Sequence, residues 1–170
     1  MARRGFRVHV VNVAVGGATL RDVIENQLPK LQTIRPQLVT ISIGANDSTR
    51  GTNPNEYSND LQTLQNALKN STARQVLWAN TPDMTQTPAP PMLLSKLFGV
   101  RARRQNALLK RVLTDAKIDI VNLHDDGKLI YARDHELYAS DLFHPSSKGY
   151  ASWAKLFANQ LRPEKMVSEK

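Results

Sequence analysis

The residues whose types and spacing suit chemistry best lie late in the chain, in Asp141-Leu142-Phe143-His144-Pro145. A carboxylate three residues before a histidine can curl back and accept the imidazole Nδ1–H. That fixes the tautomer and leaves Nε2 free as a general base. The sequence holds no other D-x-x-H. For a lone motif the plainer explanation is a helix-entry turn, with Asp141 capping and His144 as bystander. A second group is Asn46 in LVTISIGAND (38–47), whose side-chain amide is a neutral donor able to stabilise charge developing on an oxygen; a polar turn is the plain alternative. A third is Gly16-Gly17, where a backbone N–H can approach a ligand at the start of a helix. VGGAT matches neither common phosphate-loop pattern, so a nucleotide site is not indicated. His9 alternates with apolar neighbours and reads as structural. His124-Asp125-Asp126 and Asp134-His135-Glu136 lack the spacing of a metal site and read as polar loops.

These groups need a frame to position them. Val39-Thr40-Ile41-Ser42-Ile43 is a β-branched run broken by Gly44, the pattern of a strand buried on both faces of a parallel sheet. It would deliver Asn46 and Asp47 into the loop at its carboxyl end, where such sheets bind ligands. Arg7 to Val15, Gln75 to Ala79 and Ile118 to Leu123 read as three further strands. Thr19, with Asp22 three residues on, forms a capping box before Leu20, Val23, Ile24, Leu28 and Leu31, with Pro29 kinking or restarting the helix. Asn53-Pro54-Asn55-Glu56 opens a second helix that buries Tyr57, Leu61, Leu64 and Leu68. Met92 to Val100 is apolar and reads as core, with the wall of a site as the alternative. Arg101 to Ala116 reads as helix with Leu108, Leu109, Val112 and Leu113 inward. Ser146 to Leu161 reads as the last, with Tyr150, Trp153, Phe157 and Leu161 inward and Pro163 stopping it. Alternating strands and helices specify an α/β domain with a parallel sheet over residues 1–162, followed by a polar tail at 163–170.

Composition bounds the function. A chain of 170 residues, 41% hydrophobic, is long enough for one real core. The net charge of +8 permits attraction to nucleic acid or lipid headgroups. Its basic residues gather in Arg3-Arg4-Arg7 and Arg101-Arg103-Arg104-Lys110-Arg111, without interleaved aromatics, so a solvated basic face is expected rather than a specific nucleic-acid site. There is no cysteine, which excludes disulfides and thiolate metal sites. No apolar run approaches the ~20 residues of a membrane span. The arginine-rich start followed by VHVVNVAV is only superficially like a signal peptide, so location stays open, with the cytoplasm as the default.

Taken together and in this order, the motifs resemble those of the SGNH, or GDSL-type, hydrolases, a family of esterases, lipases and carbohydrate acetyl hydrolases. VVNVAVGGAT is similar to the family's second block, GAND to its third, and DLFHP followed by SSKGYASWA to its fifth. The resemblance runs from about Val8 to Leu161. It implies a flavodoxin-like three-layer α/β/α fold, oxyanion-hole donors at Gly17 and Asn46, a catalytic acid and base at Asp141 and His144, an acyl-ester substrate, and no metal or organic cofactor.

One departure stands against this. The family's first block, G-D-S, supplies the nucleophilic serine, and this chain contains no G-D-S. By resemblance the chain starts at the family's second strand, short of a strand–helix unit on the order of 30 residues. In the strand order 2-1-3-4-5 the first strand is central. Without it two facing edges lose their partner, or Arg7–Val15 pairs directly with Leu38–Ile43. Self-association through strand edges and reduced stability are then expected. Ser48 and Ser140 lie near the motifs, but neither sits on a strand-to-helix elbow, so no nucleophile is identified. The intact second, third and fifth blocks favour a hydrolase chain short of its first block. A non-catalytic ligand-binding relative and a basic α/β binding module are the alternatives.

Overall fold

The computed structural model describes residues 7–127 and 135–166. Arg3, Arg4, Asp134 and the end of the polar tail lie outside them. Three parallel strands form one sheet in the order β1-β2-β3: β1 (Leu38–Ser42), β2 (Gln75–Ala79) and β3 (Ile118–Val121). Register places Leu38 beside Gln75 and Val76 beside Ile118. Strand β2 is the centre and is buried along its whole length.

Because successive strand residues point to opposite faces, β2 feeds two cores at once. Val76 and Trp78 face one core with Leu20, Tyr57, Leu61, Leu64, Leu68 and Leu109. Leu77 and Ala79 face the other with Val121 and Leu123, against Trp153, Leu156, Phe157 and Leu161. Buried Gln75 ties the sheet to the C-terminal helix: Nε2 donates to Asp119 at 2.6 Å and to the Gln160 carbonyl at 2.8 Å, while Oε1 accepts from the Arg162 N–H at 3.0 Å. Arg162 also pairs with Asp119.

The helices begin where side-chain caps dictate. Thr19 and Asp22 form the reciprocal capping box that starts α1 (Leu20–Asp22), which continues as a wider turn over Val23–Gln27. Pro29 restarts the chain as α2 (Lys30–Ile34). Asn53 accepts from the Asn55 N–H at 2.8 Å to open α4 (Pro54–Lys69). Ser146 accepts from the Gly149 N–H at 3.2 Å to open α6 (Ser147–Asn159). Between these lie α3 (Ala45–Arg50) and α5 (Met92–Val112). No described helix is long and apolar enough to cross a membrane.

Four sequence expectations are corrected. Arg7–Val15 has no regular secondary structure and forms no strand, and Val10 is 77% exposed. A β-branched run acquires a ladder only if a neighbour supplies one, and no described backbone hydrogen bond links Val11–Val15 to β1. A groove of about 320 Å³ separates them, walled by Val11–Val15 on one side and Val39–Ile43 on the other. Strand β1 is therefore an edge, with Thr40 and Ser42 exposed, and is not buried on both faces. Met92–Val100 lies in the first half of α5, and Met92, Leu93, Leu94, Leu97 and Val100 are exposed, not core, while Phe98 is half-buried. Tyr150 is also exposed, set edge-on against Trp153.

Candidate active site

Gly44 ends β1 with φ +114°, a conformation that L side chains rarely adopt. A Cβ there would meet Thr81 Oγ1 at 2.3 Å, so the loop packs directly onto the end of β2. Thr81 is itself buried and clamped by Asn106, which accepts the Thr81 N–H and donates to its carbonyl, both at 2.8 Å. The chain then turns at once into α3, so Asn46 and Asp47 occupy a first helical turn where a loop was expected.

Helix α3 holds the Gly17 loop by three side chains. Asn46 Nδ2 donates to the Ala18 carbonyl at 2.9 Å. Buried Asp47 accepts the Leu20 N–H at 3.1 Å and the Thr52 hydroxyl at 3.2 Å. Arg50 Nη2 donates to the Gly17 carbonyl at 2.7 Å. Burial pushes the Asp47 carboxyl above its ordinary value, and the Leu20 and Thr52 bonds oppose that rise. Asp47 thus acts as a fixture between α3 and α1. Gly17 is exposed, with φ +82°, and its N–H donates to no described group. An amide has two N–H donors, so Asn46 keeps one beyond the Ala18 bond. Asn46 is thereby bonded to the residue that follows Gly17.

The second half is a tight turn. Asp141 Oδ2 lies 2.6 Å from His144 Nδ1, and Oδ1 accepts the backbone N–H groups of Phe143 at 3.0 Å and His144 at 2.9 Å. The hydrogen bond from His144, then those from the two backbone amides, draw the Asp141 carboxyl down to about 2. Leu142 takes the turn at φ +55°, and the Phe143 ring packs edge-on to the imidazole at 5.1 Å. Two outside contacts fix the turn: Tyr138 bridges Pro145, and the Ala89 N–H donates to the Leu142 carbonyl at 3.3 Å. Both Asp141 and His144 are more than half exposed. With Nδ1 engaged by Asp141, Nε2 makes no hydrogen bond to a described residue.

Among the described residues, no hydrogen bond or ion pair joins Gly17 and Asn46 to Asp141 and His144. Ser48 is buried, its hydroxyl 2.5 Å from the Gln105 side-chain amide, which removes it from any substrate. Ser140 is exposed and makes no described hydrogen bond with His144. His9 lies exposed in the Arg7–Val15 segment, not in a strand. His124 belongs to a polar network at the carboxyl ends of β2 and β3: Asn80 accepts its N–H at 2.8 Å and donates to Asn122 at 2.8 Å. Thr81, Asn106 and Arg50 escaped the sequence reading. Thr81 alone carried a signal, since it directly follows the strand end where α/β sheets place their sites.

The sequence profile of the GDSL-like lipase/acylhydrolase family matches residues 1–152. The chain belongs to this family. Its fold is similar to that in the crystal structure of LAE5, an alpha/beta hydrolase enzyme from the metagenome of Lake Arreo, Spain. The TM-score is 0.69 at 20% identity, covering 89% of this chain and 71% of that one. Comparison with curated proteins gives no match. Family membership supports hydrolysis of acyl groups as the general chemistry, with a small-molecule ester as the class of substrate.

Proposed function

We propose that this chain carries the oxyanion-hole and acid–base parts of a serine-type carboxylic ester hydrolase. The observation that carries the reading is the Asp141–His144 pair at 2.6 Å, with the opposite imidazole nitrogen free. A neutral His144 oriented this way can take a proton from a hydroxyl as it attacks an ester carbonyl, then return it to the leaving alcohol. Asp141 stays ionised and stabilises the imidazolium formed in between. The Gly17 N–H and the second Asn46 amide hydrogen would hold the developing oxyanion, together with the N–H of the attacking serine.

The serine itself belongs to no G-D-S in these 170 residues. The groove beside β1 supports a position for it. Its lining runs from Val39 to Ile43 and reaches Ala18, the residue that Asn46 grips. Leu64 and Leu68 line it from one layer and Phe157 from the other, so an occupant would be buried on both faces. That is the environment of an apolar strand in a parallel sheet. A strand lying there parallel to β1 would end beside Gly17 and Asn46, the place where a nucleophile is needed.

The reading is tested by supplying a G-D-S strand–helix unit ahead of residue 7 and treating the protein with a p-nitrophenyl ester. Mass spectrometry should find one acyl group on the supplied serine. An unacylated protein that is well folded would refute the assignment.

A further inference from the structure

Helix α5 is built inside out over its first half. Its inward residues there are Ser95, Gly99 and Ala102, all buried, while Met92 and Leu93 are 72% and 79% exposed and Leu94, Leu97 and Val100 are also exposed. The cause is close packing. The short turn Met84–Gln86 lies so near that a Cβ on Gly99 would meet Thr85 Cγ2 at 2.2 Å. Only small residues fit that face, so the large ones, half-buried Phe98 apart, are left pointing out. Leu93, Leu97 and Val100 fall at i, i+4 and i+7, one continuous stripe along the helix.

Along this segment of the chain the charge is of one sign. From Met84 to Thr114 there is no Asp or Glu, and Lys96, Arg103 and Arg104 are exposed along α5. Among the described residues none of the three makes an ion pair. Arg101 is excluded from this set, because its Nη1 donates to the Ser48 carbonyl at 3.1 Å. An exposed apolar stripe flanked by lysine and arginine matches a negatively charged lipid interface: leucines enter the acyl boundary while the cations meet headgroups. A second copy would face like charge with like charge, and a nucleic acid would leave the leucines without a partner.

We infer that the first half of α5 docks this protein onto an anionic lipid surface. The Ala89–Leu142 hydrogen bond ties the segment entering α5 to the turn that holds His144, and Leu142 is itself exposed. Docking there brings that turn towards the lipid surface, and the docking does not depend on the ester-hydrolase reading.

The experiment is co-sedimentation of the purified chain with vesicles of phosphatidylcholine alone or mixed with phosphatidylglycerol, at low and high salt. The expected result is binding to mixed vesicles only, weakened by salt. Lys96→Gln with Arg103→Gln should weaken it about tenfold or more, given what each cation contributes near a charged surface. Leu93→Asp with Leu97→Asp should abolish binding while circular dichroism and thermal midpoint stay unchanged, since both side chains are exposed. Binding that survives the leucine substitutions, equal binding to neutral vesicles, or none to either would overturn the inference. So would a dimer in solution that these substitutions dissociate, which would give the face to a second copy. Because the readout is binding, a failure here is distinct from a failure of the ester-hydrolase reading.

Discussion

Asp141 is exposed, yet its carboxyl is drawn to about 2 from the ordinary 3.8, because three hydrogen bonds favour the charged form. The sign of the linkage follows from that lowering. The contribution to stability is complete above the unfolded value near 3.8 and fades as pH falls towards 2. At neutral pH the carboxylate is therefore a constant acceptor for the Nδ1–H of His144. Carbon-detected NMR of the Asp141 carboxyl should give a midpoint near 2, and a midpoint near 3.8 would mean that the turn does not hold in solution. Asn46 makes the complementary prediction. In protein supplied with the G-D-S unit, Asn46→Ala should lower kcat about 10²–10³-fold with KM little changed, the usual cost of one lost oxyanion donor. Steady-state kinetics on a p-nitrophenyl ester would measure it, and an unchanged kcat would remove Asn46 from the oxyanion hole.

At the scale of elements, the parts legible from sequence are those whose physics is local. The capping box of Thr19 with Asp22 and the Asn53 cap before Pro54 each satisfy helix amides from within a few residues, and both form as the sequence implies. The D-x-x-H turn belongs with them, since Asp141 reaches His144 within one turn. What could not be read depends on distant neighbours. Arg7–Val15 has strand composition, but no adjacent strand turns that composition into a ladder. Met92–Val100 has core composition, but the turn at Met84–Gln86 admits only small residues beneath it. The link between α3 and the Gly17 loop, through Asp47 and Arg50, spans sequence separations that no pattern reveals. Gly44 is the tightest joint in this part of the fold. Gly44→Ala would set a Cβ 2.3 Å from Thr81 Oγ1 in a backbone conformation hostile to L residues. A loss of about 2 kcal/mol or more is expected, visible as a lower midpoint in urea unfolding. An unchanged midpoint would show that the β1 end and Thr81 are not packed as described.

Across the whole molecule, β2 organises two cores, and α3, which follows β1, holds the Gly17 loop. Asn46 holds the carbonyl of Ala18, a residue that lines an apolar groove walled by Val11–Val15 and Val39–Ile43. Asp141 and His144 stand on a turn before α6, tied to the segment that leads into α5. Each pair is assembled within itself, and neither includes a serine able to attack. The central proposal is thus an ester-hydrolase site whose base and two of whose oxyanion donors lie in this chain, without a nucleophile among its described groups. Its most direct test is stopped-flow measurement of p-nitrophenol release from a p-nitrophenyl ester, by the chain alone and by the chain preceded by a G-D-S strand–helix unit. The account predicts no burst from the chain alone, and from the extended protein a burst equal to the enzyme concentration that His144→Ala abolishes. A His144-dependent burst from the chain alone, or none from a well-folded extended protein, would contradict it.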